Sequence, residues 1–168
     1  MIHCFIIAAQ TADGFIAKDA LHSPFHWTSK EDKKQFIELT KKAGVVVMGA
    51  QTFKTLPGAL KERRNIIYSR SQSFEGTETT SEQPEELLQR LENEGVKEVA
   101  ICGGAYIYTM FAKAGVVDTI YLTIEPLMFG AGVSIFNEDV NIHLKLVSHI
   151  KTEAGTLLLE YKVLNQKI

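Results

Sequence analysis

Residues 99–108 read Val-Ala-Ile-Cys-Gly-Gly-Ala-Tyr-Ile-Tyr, an apolar run that ends in two glycines and continues into a helical pattern. Residues 45–53 repeat this plan, with an apolar run over Val45–Met48, a glycine at position 49 and a short helical pattern. A strand that is almost wholly apolar is typical of a parallel sheet covered by helices on both faces. The two stretches therefore predict units of a parallel α/β sheet.

The rest of the chain fits the same architecture. The apolar patterns predict further strands at 2–9, 65–69 and 119–124, and helices at 29–42, 51–55, 83–94 and 105–114. On both sides of the turn Glu153-Ala154-Gly155, apolar residues recur at every second position, which predicts two strands of an antiparallel hairpin. We therefore expect one domain over 1–168, a three-layer α-β-α fold with a central mixed, mainly parallel sheet and an antiparallel C-terminal hairpin.

Composition excludes several classes of function. Of the 168 residues, 45% are hydrophobic and 23% are charged, which is typical of a folded globular domain. The 18 Lys and Arg against 20 Asp and Glu give a net charge of -2, so no basic field attracts nucleic acid. The N-terminal apolar run Cys4 to Ala9 is too short to span a membrane, and no basic region precedes it. Two distant cysteines favour a reducing compartment. We expect a cytoplasmic protein, monomer or homodimer, with a small-molecule substrate.

A carboxylate interrupts the apolar stripe of the helix predicted at 29–42. At 100° per residue, Asp32 lies one turn before Phe36 on the same face. A carboxylate on such a face is costly unless it is paired or functional. Thr28 and Glu31 have capping-box spacing, which makes Thr28 the expected cap and leaves Asp32 free to bind a cationic ligand or exchange a proton. If Ser29 is the cap instead, Asp32 is only the N3 acid of a capping box.

Anion-binding features follow three of the predicted strands. Gly49 and the pair Gly103-Gly104 each precede a helix, where backbone N–H groups and the helix dipole favour an anion. Ser69-Arg70-Ser71 offers a cation and two hydroxyls, which suit a phosphate monoester, whereas an acid there would suit the ribose diol of NAD. Together they predict a bound dinucleotide, NADP rather than NAD. Each feature alone is also explained by an ordinary turn.

Other kinds of site find no support in the sequence. The five histidines and two cysteines show no metal-ligand spacing, so we expect no metal site. Neither glycine corner continues as a phosphate-binding P-loop. Lys30, Lys33 and Lys34 are interpreted as a solvated helix face, and Cys102 as a small core residue rather than a nucleophile.

Taken in chain order, these features resemble the dihydrofolate reductase family over nearly the whole chain. The motifs that carry the likeness are Ala8-Ala9, Asp13 to Ala17, Trp27 with Asp32 five residues on, Met48-Gly49 with Thr52, Leu56-Pro57-Gly58, Arg63 with Asn65, Gly103-Gly104 with Tyr108, and Tyr121-Leu122-Thr123. The resemblance implies reduction of dihydrofolate to tetrahydrofolate with NADPH. It also implies a mobile lid over residues 13–26 and a cis peptide at Gly103-Gly104.

The resemblance further implies roles for individual residues. The implied catalytic residues are Trp27, Asp32, Tyr108 and Thr123. The implied substrate contacts are Ile7, Ala8, Asp32, Phe36, Leu56, Arg63, Cys102 and Thr123, and Arg63 would grip the glutamate carboxylate of folate. The implied NADPH contacts are Ala9, Ile16, Gly49, Ala50, Gln51, Thr52, Ser69, Arg70, Ser71, Cys102, Gly103, Gly104, Ala105, Tyr106, Ile107 and Tyr108.

The chain also departs from the family pattern. Ala50 stands where the family has Arg or Lys, which leaves Arg70 alone at the cofactor phosphate. His26 replaces the usual proline before the tryptophan, and residues 60–62 are an insertion before Arg63. The segment 125–136, with Phe129-Gly130-Ala131-Gly132, is instead similar to the pyrimidine reductase of riboflavin synthesis. Reduction of 5-amino-6-(5-phosphoribosylamino)uracil is therefore the alternative reaction, and a nucleotide- or pterin-binding module without turnover is a further one.

Overall fold

The computed structural model describes residues 1–164. Its strands are β1 (His3–Thr11), β2 (Phe15–Ala17), β3 (Val45–Gly49), β4 (Arg64–Tyr68), β5 (Glu78–Thr80), β6 (Glu98–Ile101), β7 (Thr119–Glu125), β8 (Val133–Ser134), β9 (His143–Lys151) and β10 (Leu157–Leu164). Its α-helices are α1 (Lys30–Ala43), α2 (Ala50–Lys54), α3 (Pro84–Asn93) and α4 (Ala105–Lys113), and Pro24–His26 forms a 3₁₀ turn. Each strand and helix that the sequence predicted lies within one or two residues of the observed bounds.

Eight strands form the central sheet, in the order β5-β4-β3-β6-β1-β7-β10-β9. The strands from β5 to β7 in this order run parallel to their neighbours. β10 pairs antiparallel with β7 and with β9, which completes the hairpin predicted at the C-terminus. The expected mixed, mainly parallel sheet is confirmed.

The apolar strands are buried because their two faces enter two different cores. In β1, Cys4 and Ile6 pack with the residues of α3 and α4, whereas Phe5 and Ile7 pack with those of α1 and α2. Alternate residues of a strand point to opposite faces, so each face needs its own apolar cover. The helices supply that cover and make the three expected layers.

Three short strands were not predicted. β5 has the polar sequence Glu78-Thr79-Thr80 and joins the sheet edge beside β4, so no apolar run marks it. β2 and β8 form a separate two-stranded sheet that ties the expected lid to a segment more than a hundred residues later. A pairing between such distant short segments leaves no local pattern in the sequence.

The cap of α1 corrects one prediction. Ser29, not Thr28, is the N-cap, and its Oγ accepts a hydrogen bond from the Asp32 N–H at 3.2 Å. Both residues had a suitable hydroxyl and an acid three residues later, so local sequence did not separate them.

Within residues 1–164, no helix is long and apolar enough to cross a membrane. The same residues contain no group of three or more His, Cys, Asp and Glu side chains placed to hold a metal ion.

Candidate active site

A cavity of about 930 Å³ opens at the carboxyl ends of the parallel strands. Its wall takes in the ends of β1, β3, β4 and β5, the turn after β6 and the first residues of α2 and α4. Ligands of open α/β sheets bind at this edge, because loops and helix N-termini converge there. The cavity is therefore the candidate site.

Most of the predicted site residues lie on this wall. They are Ile7, Ala8, Ala9, Ile16, Asp32, Phe36, Gly49, Ala50, Gln51, Thr52, Leu56, Ser69, Arg70, Ser71, Cys102, Gly103, Gly104, Ala105, Tyr106, Ile107 and Tyr108. Trp27, Arg63 and Thr123 are not on the wall. Trp27 precedes the wall residue Thr28, and Thr123 supports Asp32 from β7. The roles that the resemblance implies for all these residues remain predictions.

Asp32 is the titratable group at one end of the cavity. Burial raises the pKa of its carboxyl, and the nearby charge of Glu125 raises it further. The hydroxyls of Thr123 and Thr28 and the ammonium of Lys33 act in the opposite direction on this pKa. Thr28 Oγ1 lies near the carboxyl but makes no hydrogen bond of normal geometry. A partly desolvated carboxyl among hydroxyls is suited to hold a proton or a cationic edge of a ligand.

The two glycine corners meet at the floor of the cavity. The Gly49 N–H donates to the Gly103 carbonyl at 2.9 Å, and the peptide bond between Gly103 and Gly104 is cis. A Cβ at Gly49 would stand 3.2 Å from the Ile107 side chain, and one at Gly104 would stand 3.1 Å from Thr52 Oγ1. No side chain fits at either corner without displacement, so bare backbone faces the cavity.

Tyr108 links this floor to the first strand. Its hydroxyl donates to the Ile7 carbonyl at 2.7 Å, and its side chain is buried. Burial raises the pKa of this hydroxyl well above its usual range, so it stays a neutral donor. Tyr108 therefore fixes α4 against β1.

Replacing Tyr108 by phenylalanine should lower the free energy of unfolding by about 1–2 kcal/mol, because the buried Ile7 carbonyl loses its donor. Urea denaturation of both proteins measures this difference. Equal midpoints and equal slopes would show that this hydrogen bond adds nothing to stability.

The far end of the cavity carries an unpaired cation. Within residues 1–164, Arg70 forms no ion pair or hydrogen bond, whereas Ser69 Oγ accepts from the Gln72 N–H at 3.0 Å. Glu82 also lines this end, but its carboxylate is bound by Arg90 and Thr80. A phosphate beside Arg70 would therefore meet a free guanidinium and a neutralised acid.

The lid segment is joined to the loop after β7. Asp13 accepts hydrogen bonds from the Gly130 N–H at 2.7 Å and the Phe129 N–H at 3.2 Å. The Phe129 ring meets the Trp27 ring edge-on at 5.2 Å, and Lys18 lies 5.2 Å above Phe129. The loop after β7 thus anchors the segment that was predicted to be a lid.

Arg63 lies beside α1, outside the cavity wall. Its Nη1 donates to Thr40 Oγ1 at 3.0 Å and its Nε to the Lys61 carbonyl at 2.8 Å. Its guanidinium forms no salt bridge within residues 1–164, although the charge of Glu62 acts on it, and its Nη2 makes no hydrogen bond there.

Sequence reasoning missed several residues of the wall, among them Lys33, which was interpreted only as part of a solvated helix face. Lys33 is half-buried, lines the cavity beside Asp32 and forms no salt bridge within the described chain, although its charge lowers the pKa of Asp32. His22 and Phe25 of the lid also line the wall, and Phe25 meets Phe36 edge-on at 6.2 Å. Only the position of Lys33 directly after Asp32 could have indicated this placement. Cys102 fits its interpretation, because burial raises the pKa of its thiol to about 12.

Comparisons with known proteins show the family and the fold. A family model described as dihydrofolate reductase matches residues 3–153. The dihydrofolate reductase of Staphylococcus haemolyticus is 30% identical over 119 residues, which cover 70% of this chain and 67% of that protein. A pyrimidine reductase-like protein from Corynebacterium diphtheriae has a TM-score of 0.79 at 16% identity, over 98% of this chain and 93% of that one.

A dihydrofolate reductase from Enterococcus faecalis, solved with NADP(H) and RAB-propyl, has a TM-score of 0.74 at 21% identity. The match covers 96% of this chain and 94% of that one. At these identities, the two solved structures show that the fold is shared.

Proposed function

The chain belongs to the dihydrofolate reductase family, and on that premise we propose that it reduces the pterin ring of 7,8-dihydrofolate with NADPH. The observation that carries the proposal is the half-buried Asp32 carboxyl on the cavity wall, with Thr123 behind it. A pterin presents an amidine-like edge that a carboxylate can bind through two parallel hydrogen bonds.

The residues around Asp32 determine the pKa of its carboxyl and the way in which it would contact the ring. The Thr123 hydroxyl approaches the carboxyl from β7 and lowers its pKa, against the effect of burial. Burial keeps its pKa raised, so Asp32 holds a proton at a higher pH than an exposed aspartate does. Asp32 would thus bind the ring edge and favour protonation of the ring, while Phe36 and Ile7 on the same wall would flank the ring plane.

The residues at the other end fit NADPH, which supplies the hydride when bound. Gly49 and Gly104 expose bare backbone to the cavity, because a Cβ at either position would press on Ile107 or Thr52. The N-termini of α2 and α4 direct backbone N–H groups to the cavity, and these favour a pyrophosphate. Arg70 offers an unpaired guanidinium for the 2′-phosphate. Ala50 supplies no second cation there.

Replacing Arg70 by alanine should therefore weaken NADPH binding by about 10- to 100-fold, because one charge-assisted contact to phosphate is lost. NADH lacks the 2′-phosphate and is the internal control, with an unchanged Kd expected. Fluorescence titration of Trp27 with both nucleotides measures the two constants. Equal losses for NADPH and NADH would place the 2′-phosphate elsewhere.

A second candidate is the reduction of 5-amino-6-(5-phosphoribosylamino)uracil. Two observations favour it: the 129–130 loop that anchors the lid, and the unpaired Lys33 beside Asp32, which could bind a substrate phosphate. For either reaction the substrate and cofactor are small molecules. We propose that the protein acts as a monomer or a homodimer.

The two reactions are separated by following NADPH oxidation with dihydrofolate and with the pyrimidine in parallel. We expect the higher kcat/KM with dihydrofolate. A higher value with the pyrimidine would transfer the proposal to the second reaction. NADPH binding without oxidation of either substrate would indicate a binding module. We place the activity in the cytoplasm, where the free thiols of Cys4 and Cys102 would stay reduced.

A further inference from the structure

We infer that Glu125 is a positioning residue for Asp32: it accepts the backbone hydrogen bond that the Asp32 carboxylate would otherwise take, and so leaves that carboxylate free to face the cavity. The inference rests on the proposed function, because it concerns the acid that would bind the substrate ring.

The first turn of α1 contains half of a capping box. Ser29 Oγ accepts from the Asp32 N–H at 3.2 Å. In a complete box, the acid at the third helical position returns a hydrogen bond to the N–H of the cap residue. Here the Ser29 N–H instead donates to Glu125 Oε1 at 2.9 Å, from the end of β7. A residue 96 positions away thus takes the place of Asp32 in the box.

Glu125 is held firmly enough to serve this purpose. Its side chain is 3% exposed, and its second oxygen, Oε2, accepts from the Thr156 hydroxyl at 2.9 Å. Thr156 is itself buried, and its N–H donates to Thr152 Oγ1. A buried carboxylate with a donor on each oxygen is satisfied and has a fixed orientation.

Glu125 also acts on Asp32 through its charge. The groups that face the Asp32 carboxyl are Glu125 and Thr123 from β7, Thr28 just before α1, Lys33 from α1 and Tyr108 from α4. Of these, Glu125 raises the pKa of Asp32 by like-charge repulsion. Glu125 therefore acts in two ways: its length lets it reach the Ser29 N–H, and its negative charge acts on Asp32. Substitutions can change the length and the charge one at a time.

Glu125→Gln keeps the reach and removes the charge, whereas Glu125→Asp keeps the charge and shortens the reach by one methylene. We expect Glu125→Gln to bind the cationic probe 2,4-diaminopyrimidine within about threefold of the parent, and to move the acid limb of the kcat/KM profile to lower pH. We expect Glu125→Asp to weaken probe binding by about tenfold or more, because Asp32 turns back to the Ser29 N–H.

Thr156→Val is the matched control. It removes the hydrogen bond on Oε2 but keeps the charge of Glu125 and its contact with the Ser29 N–H, so the melting temperature should fall and the loss of probe affinity should be smaller than in Glu125→Asp. Trp27 fluorescence measures probe binding and does not depend on turnover. Absence of NADPH oxidation by the unchanged protein would therefore contradict the proposed function, while the probe still tests Glu125.

The inference would be overturned if Glu125→Asp bound the probe as tightly as the parent, or if Glu125→Gln lost as much affinity as Glu125→Asp. If Glu125→Asp does not fold, Glu125→Gln remains decisive, because its near-isosteric side chain keeps the acceptor. An acid limb that did not move in Glu125→Gln would show that Glu125 does not act on Asp32.

Discussion

Replacing Asp32 by asparagine will lower kcat/KM for dihydrofolate at pH 7 by about 10²- to 10³-fold, a typical loss when an acid–base group is removed. Asparagine can still accept from Thr123, but it can neither balance the charge of a cationic ring edge nor hold a proton for it. The Kd of NADPH should stay within about twofold, because the predicted cofactor contacts lie at the other end of the cavity.

Glu31→Gln is the matched control for this substitution, because Glu31 is an exposed acid in the same first turn of α1. It should leave kcat/KM within about twofold of the parent. If Asp32→Asn also retained the parent value, Asp32 would be a helix-capping acid and the proposed mechanism would fail.

Asp32→Asn should unfold at a higher temperature than the parent at neutral pH. Because burial raises the pKa of Asp32 in the folded protein, ionisation of this carboxyl favours the unfolded chain. This cost to stability is absent below the unfolded pKa and is complete above the folded one. Thermal melts at pH 7 and at pH 3.5 should show an advantage for Asp32→Asn that is present at the first pH and disappears at the second. A parent that melts higher at pH 7 would contradict the direction of the shift.

Replacing Gly103 by alanine is expected to have the second large effect. Gly103 has φ +111°, which side chains rarely adopt, and a Cβ there would stand 3.2 Å from the Tyr108 hydroxyl oxygen. We expect a loss of about 3 kcal/mol in the free energy of unfolding, from backbone strain and displacement of Tyr108. NADPH binding should weaken by more than about tenfold, because the cavity floor moves.

Gly95→Ala separates strain from crowding. Gly95 also has a positive φ, +88°, but no atom lies within 4 Å of its Cβ position, and it is not on the cavity wall. It should cost about 1 kcal/mol and leave NADPH affinity unchanged. Urea denaturation and fluorescence titration of both variants make the comparison. Equal losses of stability would show that contact with Tyr108 adds nothing.

The sheet could be predicted because each of its longer strands has a recognisable pattern within a short stretch of sequence. A strand that is buried on both faces, such as Val45–Gly49, appears in the sequence as an uninterrupted apolar run. The hairpin appears as a regular alternation of apolar and polar residues. Asp32 could be singled out because it is a charged residue that interrupts the apolar face of a predicted helix. β5 escaped because a three-residue polar edge strand leaves neither pattern.

The parts of the site that sequence did not reveal depend on contacts between distant segments. Thr28 and Ser29 both had a hydroxyl with an acid three residues later, and the choice between them is associated with a hydrogen bond from Ser29 to Glu125, across 96 positions. In the sequence, Lys33 resembles the neighbouring solvated lysines. Its place on the cavity wall depends on the strand ends and the lid segment, which are distant in sequence. The fold thus follows from local patterns, whereas the electrostatics of the site follow from tertiary contacts.

The most direct test of the proposed activity is a single-turnover reaction with NADPH deuterated at the nicotinamide C4 and an excess of protein over dihydrofolate. We predict oxidation of the nucleotide together with the appearance of deuterium at C6 of tetrahydrofolate, and about 10²- to 10³-fold slower transfer in Asp32→Asn. Binding of both ligands without deuterium transfer, or transfer at the same rate in Asp32→Asn, would contradict the account.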